Sequence, residues 1–289
     1  MPDALLALIF DVDGTLADTE EAHRLAFNET FHAAGLNWVW DPELYTQLLA
    51  VAGGKERLLH FIKTCPVSLP RSLSLHGEDY QDNVVEYVAA LHRDKTQRYQ
   101  DMLRNGEVPL RSGVQRLLRE AHASGLKLGI ATTTSMTNVD ALLDVAFDSE
   151  VRGWIDMIAA GEMVQHKKPA ADIYQCALHG LGLRASQCIA FEDSLIGLQS
   201  ATGAGLRTII TTDRYSRQRQ FDGALIVLDS LGEPDAPFEV ISGSAAVNNY
   251  DLHSNGLNSN GLHNYGVHSY VDLSMVRDLY ANAYAENGE

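Results

Sequence analysis

Residues Leu5–Thr15 read LLALIFDVDGT, six apolar side chains followed by two aspartates, a glycine and a threonine. A short, nearly unbroken apolar run fits a strand buried on both faces of a parallel sheet. The polar, turn-forming cluster Asp11-Val12-Asp13-Gly14-Thr15 then ends it. Two carboxylates at the end of a buried strand are costly unless something uses them. In open α/β sheets, ligands bind beyond the carboxyl ends of the strands.

Working outward, similar runs recur at Leu126–Thr132, Ile155–Ala160, Cys188–Asp193, Arg207–Thr211 and Ala224–Leu228. Helical patterns separate them, at Ser112–Ser124, Ala170–Leu181 and Ser194–Ala204. This alternation predicts a doubly wound, Rossmann-like α/β fold with a parallel sheet, residues 1–18 and 105–231 forming the core. Residues 19–104 break the alternation. They lack strand-like runs and offer helices at Glu20–Ala34, Pro42–Ala50, Lys55–Thr64 and Asp79–Leu103, with Pro66–Leu75 as a loop. The expectation is an inserted all-helical cap domain. From about Gly232 the composition turns to Asn, Ser, Gly, His and Tyr, with a rough five-residue repeat from His253. Residues 232–289 are expected to be a low-complexity, disordered tail, with a possible terminal helix over Val271–Glu286.

Composition narrows the function classes. The 289 residues carry 22 Lys and Arg against 38 Asp and Glu, a formal net charge of -16. With no Lys/Arg cluster to offset it, that charge argues against nucleic acid and anionic membrane surfaces as partners. A small anion remains compatible, because a few convergent cations dominate at short range. Three widely spaced cysteines, Cys65, Cys176 and Cys188, imply neither a disulfide framework nor a cysteine-based zinc site. No leader-like or membrane-length apolar segment is evident, so the expectation is a soluble, cytoplasmic monomer.

Asp11 and Asp13 are two apart, so on an ideal strand they point to the same side. One such carboxylate can attack phosphorus and form an aspartyl-phosphate, while the other moves protons to the leaving oxygen and from water. A lone Asp-x-Asp is more simply a turn or a helix cap. Here, however, Thr132 and the pair Glu192-Asp193 also fall at the ends of apolar runs, and Lys168 precedes a proline and a helix. Together they offer a hydroxyl, a cation and oxygen ligands, which phosphoryl transfer needs. Asp11, Asp13 and Asp193 could share one Mg²⁺, a hard ion suited to oxygen donors.

The segments DVDGT, ATTTS, KKPAADIY and FEDS, in this order, resemble the four motifs of the haloacid dehalogenase-like superfamily. The resemblance spans Leu5 to about Leu231 and implies that the helical insert is that superfamily's cap. It implies Asp11 as nucleophile, Asp13 as general acid/base, and Thr132, Thr133 and Lys168 as phosphate ligands. Mg²⁺ would be held by Asp11, Asp193 and the backbone carbonyl of Asp13, with Glu192 beside the ion. The stretches GGKERLLHFI, HRDKTQRY and ATTTSMTNVDALL are more narrowly similar to the CbbY group. That group is associated with the Calvin cycle and removes phosphate from xylulose 1,5-bisphosphate, an inhibitor of Rubisco.

A bisphosphate needs cations for its second phosphate, and the cap would supply them. Gly53 and Gly54 can present backbone N–H groups ahead of Lys55, Glu56 and Arg57. His92, Arg93 and Lys95 form a second, mostly basic group. Glu20 and His23 could hold sugar hydroxyls, and Thr134, Ser135 and Asn138 extend the expected substrate contacts. Two rival functions are a β-phosphoglucomutase-like phosphosugar mutase, which returns the phosphoryl group to sugar, and a non-catalytic sugar-phosphate-binding module. A dehalogenase is disfavoured, because Asp13 supplies an acid/base that dehalogenation does not need.

Overall fold

The structure is a computed structural model, and it describes residues 4–51, 53–70, 80–147, 150–217, 219–243 and 269–285. The chain divides into two compact units, Met1–Asp18 with Pro109–Glu289, and Thr19–Val108. The first contains the sheet and the second is helical.

Six parallel strands are β1 (Ala7–Phe10), β2 (Lys127–Ala131), β3 (Ile155–Ala159), β4 (Cys188–Glu192), β5 (Arg207–Thr211) and β6 (Ile226–Leu228). An antiparallel edge strand, β7 (Val240–Gly243), completes the sheet. The order β3-β2-β1-β4-β5-β6-β7 puts β1 inside the sheet, between β2 and β4. The chain steps outward from β1 to β3 on one side, then returns to lay β4 on the other. The switch point therefore falls between the carboxyl ends of β1 and β4, where such sheets bind ligands. Phe10 pairs with Ile130 on β2 and with Phe191 on β4, so Asp11 stands level with Ala131 and Glu192.

The helices of this unit are α5 (Val114–Ala123), α6 (Met136–Ala146), α7 (Asp172–Leu181), α8 (Leu195–Gly203) and α9 (Leu273–Ala285). On one face of the sheet, Ala7, Ile9, Ala131 and Ala190 pack with Ile173, Tyr174, Ala177 and Leu181 of α7. The small strand residues let α7 lie close to the sheet. This matters because Lys168 sits just ahead of that helix.

The helical unit contains α1 (Thr19–Ala33), α2 (Pro42–Leu48), α3 (Gly54–Thr64) and α4 (Tyr80–Arg104). Its centre is aromatic. The Phe31 ring lies 5.2–5.3 Å from those of Trp38 and Trp40, and the Phe61 ring 5.4–5.5 Å from the same pair. The expected loop at Pro66–Leu75 is irregular over 66–70, and its remainder lies outside the described residues.

The expected disordered tail carries structure at both ends, and the second piece, α9, lies within the possible terminal helix expected over Val271–Glu286. Val240–Gly243 pairs with β6, so the sheet continues beyond Gly232. Helix α9 packs against α5 and buries Val271, Leu273, Met275, Val276, Leu279 and Tyr280. Arg116 of α5 anchors the approach. It donates to the carbonyls of Gly232 (2.7 Å) and Val271 (2.9 Å), and to Glu233 (2.9 Å). The low-complexity repeat at 244–268 lies outside the described residues. The polar composition hides the short apolar pattern of β7, whereas that of α9 shows in the sequence. Among the described residues, no helix is long and apolar enough to cross a membrane.

Candidate active site

The segment after β1 turns sharply. The Val12 carbonyl accepts from the N–H groups of Thr15 (3.2 Å) and Leu16 (3.0 Å), and the Ala17 carbonyl accepts from Gly14 N–H (2.9 Å). Gly14 has φ +79°, which side-chain-bearing residues adopt rarely, and a Cβ there would fall on the Asp193 carboxylate. Glycine thus lets the end of β4 reach the turn that carries Asp11 and Asp13. Asp11 N–H still donates to the Phe191 carbonyl (3.0 Å), which fixes its backbone to β4.

Lys168 reaches this point from the segment before α7. Its Nζ lies 2.6 Å from Asp11 Oδ1 and 2.5 Å from Glu192 Oε1, all three side chains being buried. Tyr174 of α7 donates its phenol to the same glutamate oxygen at 2.7 Å. Burial pushes the Asp11 carboxyl up to about 8, with Glu192 and Asp13 adding to the rise and Lys168 opposing it. Burial alone would lower Lys168, but the Asp11 and Glu192 carboxylates raise it above its ordinary value. One ammonium thus faces a crowd of acids.

That imbalance is the test of whether a metal fits. Carboxylate oxygens of Asp11, Glu192 and Asp193 lie within 4.8 Å of one another, and all three residues are buried. Together with the nearby Asp13 they present more negative charge than Lys168 can offset. An all-oxygen, electron-rich cluster of this kind suits a hard divalent cation. The Asp13 side chain is not one of the trio. The role expected of Asp13 at an ion used its main-chain carbonyl.

The remaining expected contacts sort into groups. Thr132 ends β2, buried, and its Oγ accepts from Thr134 N–H at 3.1 Å. The Thr134 hydroxyl accepts from the Asn138 side chain at 3.2 Å. Ser135 caps α6, accepting from Asn138 N–H at 3.3 Å. Thr133 is half-buried beside them.

In the helical unit, Glu20, Tyr45 and Arg57 form one network. The Tyr45 hydroxyl donates to Glu20 at 2.8 Å and accepts from Arg57 at 3.1 Å. His23 Nδ1 and Lys95 Nζ form another at 2.7 Å, with the ammonium 5.1 Å from the Phe27 ring and 4.8 Å from that of Tyr99. Gly54 lies under the His92 ring, where a Cβ would collide, and Glu56 folds back over Gly53. Burial, then Lys95, Lys55 and His23, lower the His92 imidazole to about 4 against the pull of Glu56. Helix α4 divides the expected basic group, because His92 and Lys95 turn inward while Arg93 is exposed. Lys55 and Glu56 are exposed as well.

Two participants escape a reading of the sequence. Tyr45 and Tyr174 are buried aromatics on helices, a pattern that normally means core packing. Their hydroxyls, not their rings, join the polar networks.

A family model described as haloacid dehalogenase-like hydrolase matches residues 5–205. CbbY from Cereibacter sphaeroides is 46% identical over 230 residues, covering 78% of this chain and 93% of that protein. A crystal structure of CbbY from Rhodobacter sphaeroides in complex with phosphate is 45% identical, with a TM-score of 0.68 over 78% of this chain and 94% of that one. A mutant of that CbbY crystallised with xylulose 1,5-bisphosphate is 44% identical, with the same TM-score and coverage.

Proposed function

The chain belongs to the haloacid dehalogenase-like hydrolase family, and from that premise we propose that it is a Mg²⁺-dependent phosphatase acting on xylulose 1,5-bisphosphate through a phosphorylated Asp11. The observation that carries this reading is the bridge Asp11–Lys168–Glu192 at the switch point of the sheet. The xylulose 1,5-bisphosphate bound by the similar CbbY supports the choice of substrate.

Lys168 pairs with Oδ1 of Asp11, and the other oxygen, Oδ2, would attack phosphorus. Attack forms a bond from that oxygen to phosphorus and breaks the bond to the sugar oxygen. Asp13, two residues on, protonates the departing oxygen. It then takes a proton from water as that water displaces Asp11 from phosphorus. Lys168 stays between Asp11 and Glu192, so its charge is already oriented as negative charge moves onto the phosphoryl oxygens. The Thr132 hydroxyl, whose oxygen accepts from Thr134 N–H, would donate to one of them. A Mg²⁺ held by Asp11, Asp193 and the main-chain carbonyl of Asp13, with Glu192 adjoining, would neutralise the rest of that charge. For the second phosphate we assign cations of the helical unit, Lys55 and Arg57 of α3 and the inward-turned His92 and Lys95 of α4.

The test is phosphate release from xylulose 1,5-bisphosphate by the full chain with Mg²⁺. Stoichiometric release that disappears in Asp11→Asn is expected. Release that survives in Asp11→Asn overturns the mechanism. Isomerisation of a hexose phosphate without net phosphate overturns the phosphatase in favour of a mutase.

A further inference from the structure

Glu192 is held more firmly than an ion pair requires. Its Oε1 receives both the Lys168 ammonium (2.5 Å) and the Tyr174 phenol (2.7 Å). Its Oε2 accepts from Asp193 N–H at 3.3 Å and from the Ser194 hydroxyl at 3.4 Å. Gly197 of α8 closes the remaining side, where an added methyl would overlap the carboxylate. Both oxygens and one face are therefore fixed by three separate pieces of chain: the start of α7, the end of β4 and the first turn of α8.

Of these, Tyr174 is the member that packing does not explain. Its ring lies in the apolar layer between α7 and the sheet, among Ala131, Ala159 and Ala190. Phenylalanine would fill that layer equally well and would not bring a hydroxyl into it. A buried hydroxyl costs free energy unless it is hydrogen-bonded. This one points at the glutamate oxygen that Lys168 also uses, and the Lys168 Nζ lies 5.2 Å from the centre of the Tyr174 ring. The ring thus lies beside the ammonium, and the phenol shares its glutamate oxygen.

We propose that Tyr174 is a positioning residue for phosphoryl transfer, fixing Glu192 Oε1 so that Lys168 is held on Asp11. Without the phenol, Oε1 is held by Lys168 alone and can move off the ammonium by losing one bond at that oxygen, whatever Asp193 N–H and Ser194 hold at Oε2. With the phenol in place, swinging away breaks two hydrogen bonds at once. Lys168 then keeps one position through attack and hydrolysis, and the orientation is built in before substrate arrives. The inference rests on the phosphatase reading of the same site.

Tyr174→Phe in the full chain is the test, because it deletes one oxygen and keeps the ring. We expect kcat to fall about 10- to 100-fold, the range seen when a supporting hydrogen bond behind a metal or catalytic ligand is lost. KM should stay within about twofold and the melting temperature within a few degrees. Because the phenol acts through Glu192, Tyr174→Phe with Glu192→Gln should be no slower than Glu192→Gln alone. An unchanged kcat, additive losses in the double variant, or a collapse of melting temperature with equal losses in kcat and KM would each overturn the proposal. The last result would make the phenol a packing element. A second measurement needs no substrate: the Mg²⁺ concentration at which beryllium trifluoride, a phosphoryl mimic that attaches to carboxylates, raises the melting temperature. Tyr174→Phe should need about tenfold more Mg²⁺ than the wild type, and an equal requirement overturns the proposal. A wild type that responds to beryllium trifluoride but leaves xylulose 1,5-bisphosphate intact removes the substrate assignment and keeps the Tyr174 comparison. A wild type that does neither removes the phosphatase reading and the inference with it.

Discussion

Lys168 and Asp11 are ion-paired at 2.6 Å with their side chains only 4% and 9% exposed, so nucleophile and counter-cation are joined inside the protein rather than in solvent. Removing one member of a buried pair typically costs about 3–5 kcal/mol, because the other is left uncompensated. Lys168→Met should therefore unfold at markedly lower denaturant concentration than the wild type. Its phosphate release should fall by about 10²–10³, as when a donor to developing charge is lost. Denaturant titration and a phosphate-release assay on one preparation check both.

Gly14→Ala tests the close approach of β4 to the first turn. The backbone there is left-handed, which costs an ordinary residue about 1–2 kcal/mol, and the new methyl would occupy the place of the Asp193 carboxylate. The expected result is a protein that folds, with near-native circular dichroism, and whose activity cannot be restored by raising Mg²⁺. Activity within threefold of wild type would mean that Asp193 need not stand against the turn.

His92 gives a pH dependence with a defined sign. Its folded value of about 4 lies below the ordinary 6.5, so on acidification the unfolded chain takes up the proton first. The stability that depends on neutral His92 is complete above pH 6.5 and is lost progressively as pH falls toward 4. Lys95, Lys55 and His23 enforce this, and Glu56 opposes it. Allowing for its partial exposure, the loss is about 1–2 kcal/mol. Trp38 and Trp40 lie in the helical unit, so tryptophan fluorescence should report its midpoint dropping between pH 6.5 and 4. His92→Gln should flatten that slope.

Leu279 of α9 is 3% exposed. Leu279→Ala should cost about 2–5 kcal/mol, the usual range for a buried leucine truncation. Below the melting temperature, kcat should be unaffected, because α9 packs on α5 and its Tyr280 hydroxyl bonds to the Ser186 carbonyl, ahead of β4. That is the opposite end of β4 from Asp193. Thermal denaturation and steady-state rates separate the two effects.

The core sheet was legible because buried parallel strands declare themselves as apolar runs, and β1, β2, β4 and β5 all do. Helix α6 was not, since its first turn is polar and the run ATTTSMTN reads as a loop. β7 was hidden for another reason: four residues, Val-Ile-Ser-Gly, behind a proline-rich turn carry too little pattern to separate from a tail. At the site, Asp11, Glu192 and Asp193 stood out because charge at a strand end demands an explanation, and Lys168 because of the segment KKPAADIY. Tyr174 did not, because an aromatic residue on a helix face satisfies that helix by packing alone. Its hydroxyl acquires a purpose only through Glu192, 18 residues away along the chain. Lys95 is similar. It reads as one cation in a basic row, and only the distant His23 and the rings of Phe27 and Tyr99 draw it inside.

The place of β1 inside the sheet also bears on how the protein is made. A ribosome delivers Ala7–Phe10 well before the two neighbours of that strand, which begin only at Lys127 and Cys188. Between them emerges Thr19–Val108, a continuous stretch that forms a compact unit with its own aromatic centre. Domains generally fold as units during synthesis, and long-range strand pairing is slow. The helical unit can therefore condense while β1 and Asp11 still wait for partners, and a strand made ahead of both its neighbours is among the last to be enclosed.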